Sequence, residues 1–342
     1  MSGIFVHGIG AVTPAGWTVA DLRGTLEKNA PVPFQNVARP GRDDPLRERI
    51  VPPPASRPAF FAHPRLRRAT AIAQHSVAAA LEAIGGDLAP IQSGALRVGI
   101  ITGALCGCVN YSRRFYEEVL REPATASPLI FPETVFNSPA SHLGAYLASN
   151  AINYTLVGDN GTFLQGLALA AQWLEADKID ACLVIGVEEA DWITADAIKL
   201  FHRGTIHGAG AGVLYLKKEP AGAMAELSAV TGSFSFTYQQ DRAGAAKKMR
   251  AELPSAGKDE LLCDSTSGIP AFDAAENLAW QDWRGARRSL KTILGEAFVA
   301  SAAWQCVAAC DALARENFPA AQVSIVGVNQ QAIGARFTKP SL

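Results

Sequence analysis

A sharp turn between a strand and a helix favours a nucleophile, because it presents one side chain to the positive end of the helix dipole. Residues 152–174 have this pattern: a strand over 152–157, the turn Gly158-Asp159-Asn160-Gly161-Thr162, and a helix over 163–174. The turn holds neither cysteine nor serine. Thr162 would need an adjacent base, and no histidine follows within the helix. Asp159 or Asn160 as an N-cap, with Gly161 easing the turn, accounts for these residues structurally. The six histidines are His7, His63, His75, His142, His202 and His207, so the chain beyond 207 has none. The six cysteines, Cys106, Cys108, Cys182, Cys263, Cys306 and Cys310, show neither CxxC pairs nor zinc spacing, and are expected to be reduced and mostly buried. Cys106 and Cys108 end a strand in GALCGC, but no basic neighbour is present to activate either thiol.

Two glycine-rich stretches invite a nucleotide-binding reading. His7-Gly8-Ile9-Gly10-Ala11-Val12-Thr13 follows a short strand as GxGxxT, yet Thr13 replaces the third glycine, Pro14 follows, and Glu27 lies inside an expected helix. GAGAG at 208–212 precedes a strand instead of opening a helix. Neither stretch supports a dinucleotide site, and the sequence implies no cofactor and no metal.

The elements that must position these residues alternate between strand and helix. A β-branched strand at 4–6 leads to a helix at 19–28; residues 39–60, rich in Pro, Arg and Asp, read as an irregular surface excursion. Helical spacing of apolar residues marks 68–84, 111–120 and 138–150, and continuous apolar runs mark strands at 97–102 and 181–187. After VLYLK the pattern repeats in shorter form: strand 225–236, helix 242–252, strand 261–264, helix 298–316, strand 322–328 and a last strand near Arg336. The expectation is an α/β fold of two similar halves, 1–218 and 219–342.

At 342 residues, 49% hydrophobic and 18% charged, the chain is long and apolar enough for a sizeable core. Lys+Arg number 31 against 32 Asp+Glu, so overall charge gives no argument for nucleic acid or an anionic membrane. With no long apolar run and no signal-like start, a soluble cytoplasmic protein is the default expectation.

In order, HGIGAVTPAGWTVADL, RVGIITGALCGC, FPETVFNSPASHLGAYLASNAINYTLVG, DACLVIGVEEA and HGAGAGVLYLKKEP resemble the β-ketoacyl-acyl carrier protein synthases over nearly the whole chain. The resemblance implies a thiolase-like layered αβαβα fold. It also places Asn160 where that family carries its nucleophilic cysteine. LLCDSTSG lies where an HGTxT-type motif is expected, which puts Asp264 at the first catalytic histidine. SLKTILGEAF resembles the lysine and GH segment, keeping Lys291 and putting Glu296 at the second histidine. The glycine-rich loop near the C-terminus is reduced to Gly327-Val328-Asn329-Gln330.

A carboxamide cannot hold an acyl chain as a thioester, and two ionised carboxylates would oppose the oxyanion and the malonyl carboxylate. The resemblance therefore implies a degenerate subunit with no catalytic residue of its own, similar to the chain-length factors of type II polyketide or aryl polyene systems. Such a subunit pairs with an active ketosynthase and meets acyl carrier protein through the complex. Phe136, Ser138, Tyr154 and Phe163 become candidates for the interface or the acyl tunnel, with 152–157 pairing across a two-fold axis. The alternative is a ketosynthase-like enzyme that uses Asp264, Glu296 and Lys291 for altered acyl-thioester chemistry.

Overall fold

The computed structural model describes residues 3–340 apart from 68, 202, 255, 256 and 329. Ten strands make the path of one large sheet. The first five are β1 (Phe5–Val12), β2 (Val98–Ala104), β3 (Ile152–Val157), β4 (Ala181–Glu188) and β5 (Gly210–Lys217). The second five are β6 (Ala225–Val230), β7 (Leu261–Asp264), β8 (Ala286–Ser289), β9 (Ala320–Val326) and β10 (Gln331–Thr338). Their spatial order is β3-β2-β4-β5-β1-β6-β10-β9-β7-β8. Within each group of five the order is the same, 3-2-4-5-1. The outer pairs are parallel and the inner pairs antiparallel in both groups. The groups join where Phe5 and Val6 pair with Glu226 and Ala225.

Helices fill three layers around these strands. α1 (Val19–Lys28) begins with a capping box between Thr18 and Asp21. α2 (Ala71–Ile84) and α4 (Ser138–Tyr146) share one apolar cluster with the outer face of the first group. α3 (Val109–Arg121) lies between them in sequence and buries none of its residues. α5 (Thr162–Glu175) and α10 (Phe298–Arg315) sit in the central cluster with residues from both groups. α6 (Trp192–Phe201) and α9 (Leu290–Leu294) are short connectors, while α7 (Gln239–Glu252) and α8 (Pro270–Ala279) cover the second group. The layers run α-β-α-β-α, so the chain adopts the expected thiolase-like fold. No helix among the described residues is long and apolar enough to cross a membrane.

Several local expectations change. Segment 39–60 is partly ordered: Leu46–Arg49 pairs antiparallel with Gln35–Val37 and parallel with His207–Gly208. Its inward residues include Glu48 and Arg49, so no apolar alternation announced it. The helix expected over 68–84 starts at Ala71, and Arg68 lies outside the described residues. α6, α8 and β8 were not anticipated; α8 opens with Pro270 at its first turn, where a missing N–H costs nothing.

The GxGxxT stretch also gains a packing explanation, since Gly8 and Gly10 lie inside β1 beneath α2. A Cβ on Gly8 would come 1.9 Å from the Ala83 carbonyl oxygen, and one on Gly10 would come 1.9 Å from that of Ala79. These glycines let strand and helix backbones touch, and they cradle no phosphate. Gly10→Ala is expected to lower stability by about 1–3 kcal/mol or more through overpacking, measured by urea unfolding. A variant as stable as the parent would show that α2 can move away without loss.

Candidate functional site

The turn after β3 is held from the other half of the chain. Asp159 is fully buried; its Oδ1 accepts from the Gly161 amide at 3.2 Å and from Gln331 Nε2 at 2.9 Å, and its Oδ2 from the amides of Gln330 and Gln331. Burial pushes this carboxyl above its ordinary pKa, against those hydrogen bonds. Gly327 must lack a side chain, because a Cβ there would lie 2.0 Å from Asp159 Oδ2. Asn329 of the same loop lies outside the described residues. Asp159 is thus an inter-half tie, and α5 starts without a side-chain cap.

That tie aims Asn160 inward. Asn160 is fully buried, and its Nδ2 donates to Glu296 Oε1 and to the Phe298 carbonyl, both at 2.9 Å. Glu296 Oε1 also accepts from the Phe298 amide at 2.8 Å, and Glu296 Oε2 pairs with Lys291 Nζ at 2.7 Å. Phe298 takes a left-handed backbone conformation, φ 43°, as α10 begins. Asn160, brought to Glu296 and Lys291 from a distant segment, completes one charge-compensated cluster in which its own Oδ1 has no partner among the described residues.

Asp264 is not part of it. Its Oδ1 accepts from the Thr266 amide, Thr266 Oγ1 and Ser289 Oγ, and its Oδ2 pairs with Arg287. Adjacent residues at the end of a strand face opposite ways, so the chamber receives Ser265 where Asp264 was expected. Ser265 Oγ donates to Glu276 at 2.7 Å and accepts from the Val326 amide at 2.9 Å, tying β7 to β9.

His207 is a side chain that the sequence did not place. It is 1% exposed, its strand bonds to Glu296 through the Gly208 amide, and its Nδ1 lies 3.7 Å from Glu48 Oε1. Neither ring nitrogen has a hydrogen-bond partner. The available signal was an imidazole at the start of an otherwise apolar, glycine-rich strand.

The cavity beside the cluster has a free volume of about 30 Å3 and is lined by Thr205, Arg242, Ser265, Ser267, Lys291 and Glu296 among others. That space suits about two waters. Cys106 offers no replacement nucleophile: burial, reinforced by Glu188, pushes its thiol up to about 12. Among the described residues, no group of three or more His, Cys, Asp or Glu is arranged to hold a metal.

The tunnel and interface candidates separate. Tyr154 is 53% exposed on β3 and packs edge-on against Trp173 at 5.0 Å. Phe136 is partly exposed and lies over Gly107, whose φ of 63° and missing side chain make room for the ring. Ser138 is buried and donates to Glu133 at 2.9 Å, and His142 meets the same carboxylate at 2.7 Å. Phe163 is 1% exposed in the central core, which removes it from any surface.

Two predictions follow from this electrostatics. Glu296→Ala strands a buried Lys291 and is expected to cost about 3–5 kcal/mol in urea unfolding; an unchanged midpoint would mean that water replaces the carboxylate. Burial also raises Glu188 to about 8 and Glu189 to about 7. Their folded values exceed the unfolded one, so the neutral forms stabilise the fold and this contribution is lost as pH rises through 7–8. Between its unfolded value near 4.5 and its folded value each group costs ~1.4 kcal/mol per pH unit, and above the folded value the cost no longer grows. Melting temperature should therefore fall from pH 5 to 8 and level off above, and a flat or rising profile between pH 5 and 8 would contradict the assignment.

No protein-family model and no curated protein matches the sequence. Solved structures do match in three dimensions. The ishigamide ketosynthase/chain length factor aligns with TM-score 0.82 at 16% identity, covering 99% of this chain and 100% of that one. AntDE:AntF, a type II PKS acyl-carrier protein in complex with its ketosynthase, gives 0.80 at 14%, with 98% and 99% covered. The ketosynthase ApeO in complex with its chain length factor ApeC, from Xenorhabdus doucetiae, gives 0.78 at 15%, with 98% of each chain covered. Over essentially its whole length, the chain has the thiolase-type fold of ketosynthase and chain-length-factor structures.

Proposed function

We propose that this chain is a non-condensing, chain-length-factor-like partner of an active ketosynthase, shaping the acyl tunnel while a polyketide or polyene chain grows on an acyl carrier protein. The observation that carries this reading is the Asn160 amide, which occupies the expected nucleophile position and is spent on Glu296 and the Phe298 carbonyl. The chamber beside it is small, and its Lys291 and Glu296 neutralise each other. An aryl polyene pathway is one setting that fits, given the likeness to the ApeO–ApeC complex. The altered-enzyme alternative is weakened because Asp264 is committed to Arg287, away from Lys291 and Glu296.

The partner surface in this reading is the free edge of β3. Ile152, Tyr154 and Val157 are exposed along it, and Phe131, Val135 and Phe136 are exposed in the segment before α4. An unpaired apolar edge invites another strand, and pairing with the corresponding edge of a ketosynthase would bury both. Phe136 remains the tunnel candidate, whereas enlarging Ser138 would first break its bond to Glu133. The division at 218/219 belongs to the same proposal and is supported by the repeated strand order.

Co-expression with ketosynthases of the same pathway, followed by size-exclusion and intact-mass analysis, tests the reading. The expected result is a heterodimer in which the partner, and not this chain, carries the acyl group; an acyl adduct on this chain would overturn it. Asn160→Cys alone should not restore condensation. Val157→Arg should dissociate the complex while leaving the melting temperature of the isolated chain within about 1 °C, since an exposed substitution changes stability little. Persistence of the heterodimer would move the interface elsewhere. Phe136→Ala should change product length in an assembled complex, as read by mass spectrometry.

A further inference from the structure

The charges lining the small chamber are not equally satisfied. Glu296 is spent on Lys291, Asn160 and the Phe298 amide. Asp273 faces the same cavity but accepts from the Ser267 amide and hydroxyl and from the Gly268 amide, at 2.8–3.0 Å. Arg242, in the first turn of α7, is different. It is 7% exposed and lines the cavity, yet no carboxylate lies within ion-pairing distance among the described residues.

Its guanidinium donates to the main-chain carbonyls of Val326, at 3.2 Å, and Val328, at 3.5 Å, and lies 5.6 Å from the Phe236 ring. Nε has no partner. A guanidinium has five N–H donors, so three remain uncommitted. The carboxylates acting on it at longer range are led by Glu276, which burial holds toward its neutral form. Glu296, Asp273 and Asp159 also act on it from a distance, but a buried guanidinium without a direct ion pair still gains from an anion seated against it.

We propose that the chamber binds a compact monocarboxylate of formate size on Arg242, with the Ser267 and Thr205 side chains on the neighbouring wall. The planar fork of a guanidinium matches a carboxylate better than a spherical ion. The cavity's small volume, about 30 Å3, favours a compact anion. This site does not depend on the partner-subunit reading.

The test is titration of 13C-formate into the full chain at constant ionic strength, following transverse relaxation of the formate carbon. The parent should show saturable line broadening that unlabelled acetate reverses only at higher concentration. Arg242→Gln should abolish the broadening. If that variant does not fold, Arg242→Lys keeps the charge without the planar fork and should weaken binding at least tenfold. Absence of saturable broadening in the parent, equal competition by chloride, or unchanged affinity in Arg242→Lys would each overturn the proposal.

Discussion

The helix Phe298–Arg315 must be covered on every side, and much of the molecule is arranged to do so. Its residues from Phe298 to Leu313 are all buried, most of them Ala, Val, Cys or Ser. A helix with no polar face needs partners all round, and here they are sheet strands from both halves together with α5. Small side chains permit very close approach. A Cβ on Gly186 would lie 2.5 Å from the Val299 carbonyl oxygen, and one on Gly212 would lie 2.7 Å from the Ala303 side chain. Trp304 is the large exception, and its indole donates to the Ala211 carbonyl at 2.9 Å.

Fixing that helix also fixes the chamber, because Glu296 and Phe298 stand at its N-terminal entry. Glu296 meets the β3–α5 turn through Asn160, and its main chain joins the Ile206–Gly208 segment. The chamber is therefore built where the two groups of strands converge. In such a buried place a charge is either compensated or expensive. Lys291 compensates Glu296, which stabilises the centre and commits both side chains to each other.

The layered arrangement was what the family resemblance implied, whereas the sequence by itself determined the alternation of strands and helices, the lack of cysteine or serine in the β3–α5 turn, and the types of residue available nearby. These features are written in local periodicity and turn composition, which act over ten residues or so. Tertiary structure alone decided which of those residues meet. Asp264 and Ser265 are neighbours, yet one pairs with Arg287 outside the chamber and the other lines it. A one-residue difference in facing reverses the assignment, and only packing fixes it. Glu48, His207 and Arg242 were not placed at the site for a related reason: the surroundings of each are supplied by distant segments. Phe136, Ser138 and Phe163 read alike as candidates, until burial left Phe136 on the surface and sent the other two inside.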